Sequence, residues 1–307
     1  MIRTLLVLVA LATAVTNTPA LAQHVGQDQE LRAPTVVVTG SRREQAETYV
    51  GQIAPGGGLA QLRGVPRWNT ALCTSVIGPP AGQAQFIADR VSQRAIKAGL
   101  EAGAPGCDTN LLVIVTNDPG TLLPAIAEKH RDVFGFTGDA NIDAGGSETS
   151  LASFMAVDRP VRWRQVIETV GENGMPLDGD ARTDPLKYSQ PPLANMPIVR
   201  ADSTRLRSNV RRQLSRVVVV VDTRQTAGLS LGAVADYLAF VALADVSPDA
   251  DLSGFPSILN LFNPDTDHPD ALSDWDAAFL KGLYTARLNS ASSTMQYREI
   301  AGRMVKE

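Results

Sequence analysis

The stretch GLSLG, residues 228–232, fits the G-x-S-x-G pattern that presents a serine on a sharp turn between strand and helix, so Ser230 is the first candidate nucleophile. A serine hydrolase also needs a base and an orienting acid. The only histidine after Ser230 is His268, and acids drawn from Asp245, Asp249 or Asp251 leave too little chain for the strands that separate triad members. An elbow also turns straight out of its strand, whereas TRQTA intervenes here after Asp222. Ser230 is expected instead to cap the helix that follows it.

That helix, LSLGAVADYLAFVALA (229–244), is apolar on nearly every side and carries one carboxylate, Asp236. An unpaired carboxylate among apolar neighbours costs several kcal/mol or stays protonated, so a partner is expected. The candidate partners are Arg162, Arg164, Arg200, Arg205, Arg207, Arg211, Arg212 and Arg216, or backbone donors. The sharper alternative is a functional acid in a cleft along this helix.

Metal chemistry has little to work with. The histidines are His24, His130 and His268, and no two share a ligand-like spacing. A site would have to be assembled in space from His130, His268 and carboxylates. NPDTDHPDALSD (263–274) sets Asn263, Asp265, Asp267 and Asp274 at positions 1, 3, 5 and 12 of a calcium loop. His268 stands where that loop needs glycine, and Asp274 stands where a bidentate glutamate is usual. A solvated acidic loop ahead of a helix N-terminus is the expectation, because the macrodipole favours negative charge there. No motif implies a cofactor.

These residues need elements to hold them. LCTSVIG (72–78) reads as a strand, AGQAQFIADRVSQRAIKAGLEAG (81–103) as an amphipathic helix and NLLVIVT (110–116) as a second strand. Parallel strands of such a unit start at one sheet edge, where Cys73 and Cys107 also lie, so a Cys73–Cys107 bridge is geometrically reasonable. Two free or metal-binding thiols are the alternative. A helix is expected over 122–134, a Gly/Asp/Ser-rich loop over 137–150 and a strand over 161–170. A proline-rich excursion spans 171–196, and PIVRAD (197–202) reads as a further short strand. Leu206, Val210 and Leu214 at fourfold spacing suggest a basic helix; RVVVVVD (216–222) suits a strand buried on both faces. SDWDAAFLKGLY (273–284) opens with a capping-box-like Ser273/Asp276 pair, and a last helix covers 294–305.

The chain has 307 residues, 44% hydrophobic and 20% charged, with a formal net charge of −4. Weak acidity argues against nucleic acid as a main partner. The six arginines from Arg200 to Arg216 could meet an anionic surface, or form a solvated face with one internal ion pair. Residues 1–22 read as a signal peptide, with Arg3, an apolar run and an Ala-Leu-Ala cleavage site, which places the mature chain in the periplasm or outside the cell. No later segment has the apolar length of a membrane span. Residues 23–66 read as a flexible tail with one strand-like piece, and 67–307 as a single globular domain.

Two resemblances add to this. The stretch TVVVTGSRR, from Thr35 to Arg43, resembles the TonB box that follows the signal peptide of outer-membrane transporters. It implies a TonB-type contact by strand addition; the alternative is a plain tail or edge strand. The second covers roughly residues 215–285. A strand, a buried helix, Ser257-Ile258-Leu259, and then Leu272-Ser273-Asp274-Trp275-Asp276 through Leu280, Leu283 and Tyr284 resemble the C-terminal layout of zincin-type metallopeptidases, including zincin-like secreted proteins of Gram-negative bacteria. Zincins carry H-E-x-x-H on the buried helix, with two imidazoles one turn apart on a zinc ion. Here those five positions are Ala235, Asp236, Tyr237, Leu238 and Ala239. The resemblance therefore implies a zincin-like half without its metal. The expectation is an α/β to α+β fold: a mixed sheet built on the strand-helix-strand unit, with a degenerate zincin-like C-terminal half. The expected function is a non-catalytic periplasmic binding or envelope-associated module. The rival is a periplasmic hydrolase using Ser230 or a non-standard metal site.

Overall fold

The computed structural model describes residues 41–54, 64–135, 142–143, 148–174 and 206–306. The signal peptide expected over 1–22, residues 35–40, His24, most of the 171–196 excursion and the short strand expected at 197–202 lie outside the described residues. Among the described residues, no helix is long and apolar enough to cross a membrane.

The centre is a mixed sheet of β1 (Thr74–Ile77), β2 (Leu111–Thr116), β3 (Ile142–Asp143), β4 (Val161–Gly171) and β5 (Val210–Asp222), in the order β1-β2-β5-β4-β3. β1, β2 and β5 run parallel; β4 is antiparallel to β5 and β3 to β4. β5 is the keel. Val217, Val219 and Val221 join one hydrophobic cluster and Val218 and Val220 the other, as the period of two along a strand requires. A continuous β-branched run is what a strand covered on both faces needs.

The larger cluster packs α1 (Arg42–Ile53), α2 (Ala81–Ala98), α5 (Leu231–Leu243), α6 (Asp274–Thr285) and α7 (Ser293–Met304) with one face of the sheet. The smaller covers the other face with α3 (Pro119–Lys129), α4 (Glu148–Ala156) and a 3-10 turn over Arg131–Phe134. The fold is thus mixed α/β, with the sheet between helical layers. Residues Cys73 and Cys107 are joined in a disulfide, with Cα atoms 6.0 Å apart. Gly103 lies against it: a Cβ there would meet the Cys107 Sγ at 2.6 Å.

Several expectations are corrected. Residues 42–53, taken for tail, form α1, with Ala46, Tyr49, Val50 and Ile53 buried. Its N-cap Ser41 and Glu44 make a reciprocal capping box, so Ser41, Arg42 and Arg43 begin a helix rather than continuing a strand. Val65, also taken for tail, is buried, and its N–H donates to the buried Gln296 side chain at 2.8 Å. The helix suggested by Leu206, Val210 and Leu214 is absent from residue 210 onward. There the chain is strand, because Val210 to Leu214 pair with β4 and tertiary pairing overrides a weak helical period. The loop expected over 137–150 holds β3 and the start of α4.

Candidate functional site

α5 forms where the sequence places it, with Ser230 as N-cap accepting the Ala233 N–H at 3.1 Å. Every residue from Ala233 to Leu243 is buried, because α5 packs against α2, β4, β5, α6 and the 3-10 turn Ile258–Phe262. Ala235 and Ala239 are completely enclosed.

Asp236 does have cationic partners, and among the described residues none is one of the arginines expected to serve it. Arg90 and Arg94, one turn apart on α2, each grip the carboxylate with two hydrogen bonds. Nε of each donates to Oδ1 at 2.7 Å, and the second donors reach Oδ2 at 2.8 Å from Arg90 and 2.6 Å from Arg94. The Leu272 N–H adds a fifth bond at 2.9 Å. Burial by itself would raise the Asp236 pKa; the arginines and the Leu272 amide bring it down to about 2. The acid is therefore an ionised clamp between α5, α2 and the approach to α6. Of the arginines expected to serve it, Arg162 donates to the Met155 carbonyl and Arg164 to the Phe134 carbonyl, while Arg216 faces Asp132. The signal that would have found the true pair is the i, i+4 spacing of Arg90 and Arg94 on an amphipathic helix.

A second buried carboxylate was legible only as a cap. Asp276 closes the capping box of α6 and is fully enclosed. Its Oδ1 accepts from the Tyr49 hydroxyl at 2.6 Å and from the Ser257 hydroxyl at 2.7 Å. Its Oδ2 accepts from the Ile258 N–H at 2.8 Å, the Ser273 N–H at 2.9 Å and the Ser273 hydroxyl at 3.0 Å. The Ser257-Ile258 turn and the LSDWD segment are thus tied through one side chain, and Tyr49 adds α1 to the knot. Burial, then the Asp276 charge, push the Tyr49 pKa well up, so it remains a phenol donor. Tyr49→Phe should lower unfolding free energy by about 1.5–3 kcal/mol, the usual worth of a hydrogen bond to a charged group, as read by urea denaturation. A change below 0.5 kcal/mol, roughly the level of a neutral surface substitution, would show that Asp276 is satisfied without it.

The remaining candidates do not converge. Ser230 is exposed and engaged as a cap. His130 closes α3 and is exposed, and His268 is exposed in the loop before α6. Asp265 and Asp267 are exposed, and Asp274 begins α6. The Asn263 Oδ1 accepts the Asp265 N–H at 3.0 Å, an Asx-type turn rather than a ligand set. Among the described residues, no three His, Cys, Asp or Glu side chains gather as a metal would require.

Open space lies one residue along α5 from Asp236. A cavity of about 240 Å³ is lined by Trp163 of β4, Tyr237 of α5, Leu259 and Phe262 of the 3-10 turn, Arg159 and Asn263, among others. Tyr237 stacks edge-to-face with Phe262, ring centres 4.9 Å apart, and with Trp163 at 6.4 Å. Tyr237 is 8% exposed, and among the described residues its hydroxyl has no hydrogen-bond partner. Burial raises its pKa, so the group stays protonated, while the charge of Arg159 pulls the other way. Nothing in the sequence pattern marked this cavity, because its walls come from a strand, a helix and a turn far apart in the chain. Comparison with family models, with curated proteins and with solved structures finds no match to this chain.

Proposed function

We propose that this chain is a non-catalytic binding module of the periplasm or the cell exterior, built on a zincin-like layout whose metal-holding positions are filled by alanine. One observation carries the proposal. At the two positions one turn apart where that layout places imidazoles, α5 has Ala235 and Ala239, both 0% exposed. A methyl group donates no lone pair to a metal. The acid between them has both oxygens engaged by two guanidinium groups, so it is not poised to polarise water. The export signal read over residues 1–22 and the Cys73–Cys107 bridge both suit an oxidising compartment outside the cytoplasm.

Elemental mass spectrometry on the purified secreted protein, paired with a peptide-cleavage assay with and without chelator, tests this. The expected result is metal far below one equivalent and no chelator-sensitive cleavage. One equivalent of a transition metal, or cleavage that a chelator abolishes, overturns it.

A further inference from the structure

The cavity beside Tyr237 joins aromatic walls to several side-chain donors, and this pairing specifies a ligand. Its apolar lining includes Trp163, Phe262 and Leu259. Its polar lining is Arg159, Tyr237, Ser247 and Asn263. The Tyr237 hydroxyl is kept protonated by burial and lacks a partner among the described residues. The Ser247 Oγ already accepts the Asp249 N–H at 3.3 Å, leaving its hydroxyl hydrogen to give. The Asn263 Oδ1 accepts the Asp265 N–H, and its amide N–H₂ is a further donor. Arg159 brings a positive charge that Asp249 compensates; its guanidinium donates to the Pro248 carbonyl and to the Asp249 carboxylate, a partner 82% exposed whose place an entering carboxylate would take. Four donor side chains, one of them a cation, favour an acceptor that is itself negative.

Rings of Trp, Tyr and Phe also suit cations, but Arg159 opposes a cation here. The volume, about 240 Å³, lies below the usual range of drug-sized pockets and holds roughly eight water-sized groups. We propose that this cavity binds a small aromatic monocarboxylate, its ring against Trp163 and Phe262 and its carboxylate received by Tyr237 and Arg159. The assignment rests on the binding-module function proposed above and names its site and ligand class.

The test uses the full secreted chain and benzoate as probe, with benzyl alcohol as a neutral ligand of like shape and benzyltrimethylammonium as a cationic one. Isothermal titration is expected to give saturable one-to-one binding of millimolar benzoate, weakened by salt. Benzyl alcohol should bind about tenfold more weakly, as loss of the charged acceptor implies, and the cation should not bind. Tyr237→Phe and Arg159→Gln should each weaken benzoate about tenfold while the thermal unfolding midpoint stays near wild type. Absence of saturable benzoate binding by a folded sample, equal binding of the alcohol, or a Tyr237→Phe protein with unchanged affinity each overturns the site. Metal measured on the same sample separates the two proposals. Benzoate binding with one equivalent of metal overturns the non-catalytic function and leaves the site standing; a metal-free protein that ignores benzoate does the reverse.

Discussion

Asp236→Asn should lower the free energy of unfolding by about 3–5 kcal/mol, the range for breaking a buried ion pair from one side. The carboxylate is 0% exposed and holds Arg90 and Arg94 in the same pair of oxygens. Without its charge, two guanidinium groups are left facing each other on α2, and the amide that replaces the second oxygen turns an N–H₂ toward donors instead of accepting from them. Urea denaturation with a measured m-value reads the loss. Replacing Asp236, Arg90 and Arg94 together by Leu, Met and Met gives the complementary result: stability within about 1 kcal/mol of wild type or above it, since the desolvation of three charges is relieved. If the single variant costs less than 1 kcal/mol, roughly an exposed pair's worth, the clamp is ornamental.

The same clamp sets an acid limit. The folded pKa of Asp236, about 2, lies below the ordinary value of 3.8, so its stabilisation is complete above about pH 4 and is lost as the pH falls toward 2. The shift corresponds to about 2 kcal/mol. Asp222, held down to about 2 chiefly by the Arg224 side chain, titrates in the same window, so the triple variant should lose part of this limb and not all of it.

Removing the disulfide ranks second. Cys73 and Cys107 close a loop with a sequence separation of 34, which by loop closure should stabilise the fold by about 3–4 kcal/mol. Cys73→Ala with Cys107→Ala, or reduction of the wild type, should shift the unfolding midpoint accordingly. The native ends of β1 and β2 should persist in the variant, because the Cys73 N–H still donates to the Asn110 side chain at 2.8 Å and the Leu111 N–H to the Cys73 carbonyl at 3.1 Å. An unchanged midpoint under reducing conditions would mean that the bridge adds nothing measurable to the stability of the fold.

The sequence was most legible where local chemistry and burial agree. Val217 to Val221 announce a strand sealed on both faces, Ser230 and Ser273 announce helix starts, and the cysteines announce their pairing. α1 was passed over although Ala46, Tyr49, Val50 and Ile53 follow the i, i+3, i+4, i+7 spacing behind a capping box; its remaining positions are polar and resemble a tail. The residues Val210 to Leu214 misled in the opposite sense, since a fourfold spacing can occur by chance in a strand whose partners are supplied elsewhere. The site was less legible. That Asp236 needed a partner follows from desolvation alone, but which arginines supply it depends on how α2 lies across α5. The cavity depends on three segments meeting, and no single window of sequence contains it.

The placement of α1 bears on how such a chain folds. Its buried face rests against α7, its Tyr49 reaches Asp276 on α6, and the Ser247 N–H donates to the Ile53 carbonyl at 2.8 Å. Downstream, Arg67 donates to the carbonyls of Leu283 and Ala286. The apolar side of α1 is therefore covered only by segments far downstream, Tyr49 and its partner Asp276 being 227 positions apart. Contacts of such separation carry a large loop-closure entropy, so their formation is expected to be slow.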